Sequence, residues 1–372
     1  MTLSADNNTT VHSKLKQALN LLAGQSKHVF VTGAGGFLGS TICRMLRSAD
    51  IKVTGFARGH YSELADIGVT MVQGDISDLA QVKEAMQGCD LVFHVAAKAG
   101  VWGSYEQYYQ PNVLGSENII NACQTLGIDR LVYTSTPSVT FAGIDESGID
   151  ESQPYAESYL NYYGQTKAQA EQLVLAAAKS QASKSSTEQV SESTGQLKTV
   201  ALRPHLIWGP NDPHLVPRVL ERAKAARLKL VGKEDKLVDT IYVDNAAFAH
   251  ILAAVELGKA NPSCNGKAYF ISNDEPITMA AMLNKILSCA NLAPVSKRVP
   301  TQVAYGVGVT LEWLYKLLNK QQEPIMTRFV ARQLSTSHYF NISAAKKDLG
   351  YLPLFSIDEG MKRLKRSLEQ QD

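Results

Sequence analysis

The chain has 372 residues, 45% of them apolar and 19% charged, and its 37 Lys and Arg against 35 Asp and Glu leave a net charge of +2. This composition describes a globular protein with chain enough for two or three domains, and it excludes a disordered, collagen-like or small disulfide-stapled chain. It offers no basic field for nucleic acid. Cys43, Cys89, Cys123, Cys264 and Cys289 are scattered without Cys-x-x-Cys or zinc-ligand spacing, so buried free thiols and no metal site are expected. No apolar run reaches the ~18 residues of a spanning helix, and the polar first 26 residues carry no secretory h-region. A cytoplasmic protein is expected.

Residues 1–26 read as a leader outside the main fold, with Leu15, Leu19 and Leu22 on one helical face and Gly24 as a stop. Docking on the body, pairing with another subunit and a free tail all remain open for it. From Lys27 a β/α rhythm begins. Short apolar runs at 28–31, 51–56, 70–73, 91–95, 131–134 and 199–202 read as strands separated by helical stretches. The pattern predicts an α/β protein with a Rossmann-type, doubly wound parallel sheet over 27–205. Ser-rich residues 179–197 read as a flexible insertion, and 206–372 as a smaller substrate-binding lobe sharing elements with the sheet. Residues 303–318 are apolar on more than one face, which demands burial, a hydrophobic substrate, or contact with a membrane or partner; Gly306 and Gly308 weaken a helix there. The tail 344–368 reads as a closing amphipathic helix.

Gly33, Gly36 and Gly39 form Gly-x-x-Gly-x-x-Gly between the first strand and first helix. A dinucleotide pyrophosphate needs this combination: a tight turn, close backbone approach, and a helix N-terminus supplying N–H donors. The second strand ends at Ala57-Arg58, where NAD-binding sites place an acidic residue. A guanidinium suits a 2′-phosphate, so NADP is expected and NAD is disfavoured; the competing reading is a solvated arginine. Asp75, after the third strand, is expected near the adenine or as a turn former.

Tyr163 and Lys167 lie one helical turn apart, after the strand whose end reads Thr134-Ser135-Thr136. Strand C-termini line the ligand crevice of a parallel sheet. A carbonyl that gains hydride also needs a proton, and a free phenol with a pKa near 10 exchanges protons poorly at neutral pH. An ammonium about 5 Å away, at an effective dielectric of ~20, favours the phenolate by roughly 3 kcal/mol, so Lys167 is expected to do most of the tuning. A hydroxyl from Thr136 or Ser135 would hold the substrate oxygen.

The chain resembles the extended short-chain dehydrogenase/reductases over residues 27–365. The matching residues are Thr32-Gly33-Ala34-Gly35-Gly36-Phe37-Leu38-Gly39, Gly74-Asp75-Ile76, His94-Val95-Ala96-Ala97, and Asn112 with Gly115 and Asn118. Further matches are Thr134-Ser135-Thr136, Tyr163 with Lys167, Arg203-Pro204 and Tyr242-Val243-Asp244. The resemblance implies a cofactor contact set of Gly33, Gly36, Phe37, Leu38, Gly39, Arg58, Asp75, Ile76, Ala96, Ala97, Tyr163, Lys167 and Pro204. It assigns Asn112 a supporting role and, by alignment on Val139, places the family's catalytic hydroxyl on Thr136, with Ser135 the alternative. A homodimer is the family's habit.

Tyr133–Val139, Leu202–Asp212 and Phe270–Pro276 are most similar to the 3β-hydroxysteroid dehydrogenase-like branch. Two of its subgroups fit: sterol-4α-carboxylate 3-dehydrogenases and bacterial 2-alkyl-3-oxoalkanoate reductases of long-chain olefin synthesis. Arg58 favours the second, an NADPH-driven reduction of a hydrophobic small molecule. Contact with a membrane surface or a pathway enzyme fits the same reading. A sterol dehydrogenase, a nucleotide-sugar epimerase or dehydratase, and a non-catalytic NADP sensor are the alternatives.

Overall fold

The computed structural model describes residues 3–179 and 196–370. In chain order the first part runs α1 (Leu3–Gln25), β1 (His28–Thr32), α2 (Phe37–Arg47), β2 (Lys52–Ala57), α3 (Ser62–Ala65), β3 (Thr70–Gln73), α4 (Leu79–Ala85) and β4 (Leu91–His94). Then come α5 (Tyr105–Tyr109), a π-helical turn (Gln110–Leu114), α6 (Gly115–Leu126), β5 (Arg130–Thr134), β6 (Glu146–Ile149), α7 (Tyr162–Ala177) and β7 (Lys198–Pro204). Beyond them lie α8 (Leu215–Lys224), α9 (Val243–Leu257) and further elements named by range.

Seven parallel strands form the main sheet, in the order Lys267–Ile271, β7, β5, β4, β1, β2, β3. Their apolar runs are buried on both faces, as a parallel sheet requires. On one face Val29, Val31, Val132, Val200 and Leu202 pack against α2 and the alanine-rich α9. On the other, Phe30, Tyr133 and Ala201 join Ile119 of α6 and Val174 of α7. Chain order reverses between β1 and β4, and the crevice above their carboxyl ends is where such sheets take ligands. A second sheet, Ile277–Thr278, Leu237–Val238, His338–Phe340 and β6, lies beyond β5 in the sequence and forms part of the lobe.

The leader is not outside the fold. Helix α1 runs through Gly24 to Gln25 and packs on α9, with Ala18, Leu19 and Leu22 buried in the main core. Of the expected insertion at 179–197, residues 180–195 lie outside the described residues. Leu197 is buried just before β7, so the composition overstated its extent by at least that residue. The Gln196 side-chain amide donates to the Ala178 carbonyl at 2.7 Å, fastening the two ends of the segment together. The single closing helix is two, Ser343–Leu349 and Ile357–Glu369, because Gly350 takes a left-handed φ of 64° and a capping box of Ser356 and Glu359 restarts the chain. All five cysteines are free and buried.

Candidate active site

Each glycine of the turn after β1 has its own reason. Gly33 has φ 64°, and a Cβ there would lie 2.9 Å from the backbone N and Cα of Ala96. Gly36 caps α2, its N–H bonded to the Gly33 carbonyl at 2.9 Å. A Cβ at Gly39 would overlap the Gly33 carbonyl, so no other residue lets helix and strand approach this closely. Helix α2 opens without a side-chain cap. The N–H groups of its first turn lack intrahelical acceptors and sit at the positive end of the dipole. This cradle fits a pyrophosphate. Phe37 is half-buried, Leu38 faces the core, and the Tyr61 ring fills the space a Cβ at Gly35 would take.

Arg58 is exposed at the end of β2, and its guanidinium makes no ion pair among the described residues. Asp75 is exposed too, but its carboxylate is engaged by the Ser77 N–H (2.9 Å) and hydroxyl (2.7 Å), which hold it below the usual carboxylate range. The turn-forming reading of Asp75 describes its carboxylate. Ile76 packs under Gly115, and its carbonyl accepts from Asn118 at 2.9 Å.

A buried polar chain then ties the glycine turn to the other side of the crevice. The Thr32 hydroxyl accepts from the N–H groups of Val95 (3.1 Å) and Ala96 (3.0 Å), shaping the loop that continues through Ala97. The Ser116 hydroxyl donates to the Asn112 carbonyl at 2.6 Å and therefore accepts from His94 Nε2 at 3.0 Å. That leaves His94 Nδ1 as the acceptor for the Thr32 hydroxyl at 2.8 Å, a single tautomer. Burial pulls the His94 pKa down to about 3, so the ring is neutral.

Asn112 sits in the π-helical turn, a distortion frequent at functional sites. Its Oδ1 accepts from Lys98 N at 2.7 Å, and its Nδ2 donates to Lys98 O (3.2 Å) and Thr166 Oγ1 (3.0 Å). It thus fastens the loop after β4 to α7.

Helix α7 starts where the Asn161 side chain caps the Gly164 N–H at 2.9 Å, which puts Tyr163 in the first turn and Lys167 in the second. Tyr163 is half-buried beside Thr136. Burial raises the phenol above its ordinary value, and the hydrogen bond with the Thr136 side chain draws it back. Ser135 is separated from this pair: its N–H is bonded to the Leu202 carbonyl at 2.6 Å, and its buried hydroxyl has no protein partner. Pro204 ends β7, the strand next to β5, and is buried.

Lys167 departs from expectation. Its amine donates to the Thr134 carbonyl at 2.7 Å and stands 4.1 Å from the Tyr133 ring centre, while burial and the Thr136 hydrogen bond set the shift of the phenol. A buried ammonium takes a carbonyl acceptor in preference to a neutral phenol. Burial pulls the lysine down to about 7, against the opposing charge of Glu171 one turn along the helix. Glu171 is fully buried and held by Arg203 and by the Tyr155 hydroxyl at 2.8 Å.

The sequence reading missed Tyr61, the Thr32–His94–Ser116 chain and the roles of Glu171, Arg203 and Tyr155. Only Glu171 left a local signal, an acid four residues after Lys167. Trp102, in the loop after β4, donates its indole N–H to the Lys320 carbonyl at 2.9 Å.

Residues 30–298 match the 3-beta hydroxysteroid dehydrogenase/isomerase family. A 2-alkyl-3-oxoalkanoate reductase of Shewanella oneidensis is 65% identical over 96% of this chain and 91% of its own. One from Stenotrophomonas maltophilia is 47% identical over 91% and 98%. Human sterol-4-alpha-carboxylate 3-dehydrogenase, decarboxylating, is 33% identical over 92% and 88%. Among solved structures, a UDP-glucose 4-epimerase superposes with a TM-score of 0.70 at 20% identity, covering 93% of this chain and 98% of its own. A Bacillus cereus UDP-glucuronic acid 4-epimerase in complex with NAD gives 0.68 at 19%, over 92% and 99%. These two show a shared fold. The chain belongs to the 3-beta hydroxysteroid dehydrogenase/isomerase family and is an NAD(P)-dependent oxidoreductase.

Proposed function

We propose that this chain reduces a long-chain 2-alkyl-3-oxoalkanoic acid to the 2-alkyl-3-hydroxy acid with NADPH. The observation that carries the reaction is the Tyr163–Thr136 pair at the carboxyl end of β5, beside the glycine cradle. The two reductases at 65% and 47% identity support the substrate, and Arg58, in the place of an acidic residue, supports the phosphorylated cofactor.

The glycine turn and the start of α2 would hold the pyrophosphate, and the exposed Arg58 would pair with the 2′-phosphate. When bound, the cofactor supplies hydride to the C3 carbonyl carbon. Thr136 donates a hydrogen bond to the carbonyl oxygen and fixes its orientation. Tyr163 gives its hydroxyl proton to that oxygen as the C–H bond forms, so the ketone becomes an alcohol and the tyrosine a phenolate. Lys167 lies one helical turn from Tyr163 with its amine on the Thr134 carbonyl; turned to the phenol, its ammonium would favour the phenolate until solvent returns a proton. Asn112 holds Lys98 and Thr166, keeping the crevice wall and the acid–base helix in register.

The test follows reduced-nicotinamide absorbance with NADPH and NADH separately, against a long-chain 2-alkyl-3-oxo acid and a 3-oxosteroid. The proposal expects rapid NADPH oxidation with the oxo acid. Turnover of the steroid alone transfers the assignment to the sterol reading, and tight NADPH binding without turnover of either removes the reductase assignment.

A further inference from the structure

The loop after β4 holds an ammonium beside the acid–base helix. Both backbone groups of Lys98 are fixed by one side chain: Asn112 accepts from its N–H at 2.7 Å and donates to its carbonyl at 3.2 Å. The same Asn112 amide donates to the Thr166 hydroxyl of α7 at 3.0 Å. The root of the Lys98 side chain is therefore set in register with Tyr163. Its amine lies 5.2 Å from the centre of the Tyr108 ring and 3.4 Å from the Gln107 amide oxygen. Burial raises the Tyr108 phenol, and the charges of Glu323 and Tyr163 add to the rise, so Lys98, Tyr108 and Tyr163 share one corner of the crevice.

The walls of that corner are braced. Gly100 and Gly103, with φ of 121° and 142°, turn the loop so that the Tyr108 hydroxyl donates to the Trp102 carbonyl at 3.0 Å. From the lobe, helix Thr301–Leu317 runs unbroken through Gly306 and Gly308, with Gly308 and Glu312 turned inward onto residues 327–328. It sets Tyr315 edge-on to Trp102 at 6.1 Å, and the Trp102 indole bonds the Lys320 carbonyl. The other charges of the crevice are committed. Lys167 is on the Thr134 carbonyl, Arg203 is on Glu171, and Glu323 takes two bonds from Arg218 at 2.9 and 3.1 Å. Lys98 is half-buried and forms no ion pair among the described residues. A cation positioned by its backbone and left without a counter-charge is ready for an anionic ligand.

A 3-oxo acid brings such an anion close to the reacting carbon, because its carboxylate is joined to C3 through C2 alone. With the C3 oxygen on Thr136 and Tyr163, the carboxylate stays at the same end of the crevice. A point charge on a flexible stem can follow it as the 2-alkyl group varies. We propose that the Lys98 ammonium pairs with the substrate carboxylate and so selects a 3-oxo acid over a neutral ketone; the assignment rests on the substrate class proposed above.

The test compares the 2-alkyl-3-oxo acid with its methyl ester, both in detergent micelles with saturating NADPH, in wild type, Lys98→Met and Lys98→Arg. Wild type should prefer the acid by about 10–100-fold in kcat/KM, the worth of a charge-assisted bond. Lys98→Met should remove that preference, chiefly by raising KM for the acid, because the pair is made equally before and during hydride transfer. Its kcat/KM for the ester should stay within about twofold of wild type. Lys98→Arg should recover part of the acid preference. NADPH affinity, read by fluorescence quenching, should be the same in all three. Equal wild-type rates on acid and ester overturn the assignment and leave the reductase standing. Equal losses on acid and ester in Lys98→Met also overturn it, by making Lys98 a structural prop. Weaker NADPH binding in Lys98→Met with the acid preference intact overturns it by placing the ammonium on the cofactor pyrophosphate. Turnover of neither compound by wild type removes the proposed substrate and this assignment with it.

Discussion

The guanidinium of Arg203 grips the carboxylate of Glu171 through two nitrogens, Nη2 to Oε1 at 2.5 Å and Nε to Oε2 at 3.0 Å. Both side chains are buried, and the Tyr155 hydroxyl supplies a third bond. The carboxylate, one helical turn from Lys167, therefore brings an opposing charge to an amine that burial has pulled down to about 7.

The reduction rate is accordingly expected to fall as pH rises through about 7, where Lys167 loses its proton. The groups around that amine are Tyr163 and Glu171 on its own helix, Tyr133 on β5, neutral His94 on β4 and Arg203 on β7. Glu171→Gln removes the charge that favours the ammonium, so the alkaline limb should move down by about one pH unit. Glu171→Asp should restore part of it. The variant leaves Arg203 buried and unpaired, so circular dichroism must first establish folding. A uniformly lower rate with an unmoved limb would mean Glu171 is structural only.

Tyr163→Phe keeps the ring and removes the proton. It should lower kcat by about 10²–10⁴ while NADPH affinity changes little. Thr136→Val should lower kcat, Thr136→Ser should recover it, and Ser135→Ala should do neither, because the Ser135 hydroxyl lies apart from Tyr163. A larger loss in Ser135→Ala would exchange the two assignments.

Arg58→Ala should raise KM for NADPH by about tenfold or more and leave KM for NADH nearly unchanged, since the lost charge-assisted bonds go to the 2′-phosphate alone. Equal effects on both cofactors would remove Arg58 from phosphate recognition.

Two glycine substitutions should act in opposite directions. Gly39→Ala forces its Cβ into the Gly33 carbonyl and should cost about 1–3 kcal/mol by urea unfolding, with loss of cofactor binding. At Gly306 nothing lies within 4 Å, and Gly306→Ala should stabilise its helix by about 0.5–1 kcal/mol.

His94 carries an acid-stability term. Its pKa is about 3 in the fold and near 6.5 when unfolded, so the unfolded chain takes up the extra proton as pH falls below 6.5. Stability should drop by about 1.4 kcal/mol per pH unit from this group as pH falls from 6 toward 4. Urea unfolding of wild type and His94→Gln should differ in slope by one proton; equal slopes would assign the acid sensitivity elsewhere.

The nucleotide half was legible because β1, β4, β5 and β7 are apolar runs buried on both faces, and the Gly33–Gly39 spacing sits between a strand and a helix. Strand Lys267–Ile271 escaped as a strand, being a short run met after the β/α rhythm had loosened. The lobe sheet escaped because β6 reads Glu-Ser-Gly-Ile and its partners are two or three residues long, held by neighbours distant in sequence. The site divided in the same way. Tyr163 with Lys167 is a local spacing, whereas the direction of the Lys167 amine depends on the Thr134 carbonyl, 33 residues back. The apolar character of 303–318 was visible too, but only the tertiary placement of Gly308 and Glu312 shows which way that helix faces.

The bond from Gln196 to the Ala178 carbonyl holds two points of the chain, 18 residues apart, side by side. The folded body has already brought the two points together, so what is threaded between them changes closure entropy only logarithmically, by about 0.6 kcal/mol for each doubling of length. A reporter peptide joined between the described ends at Ala178 and Gln196 would start from the ends of α7 and β7 away from Tyr163 and Pro204, and signal the protein's whereabouts while it turns over.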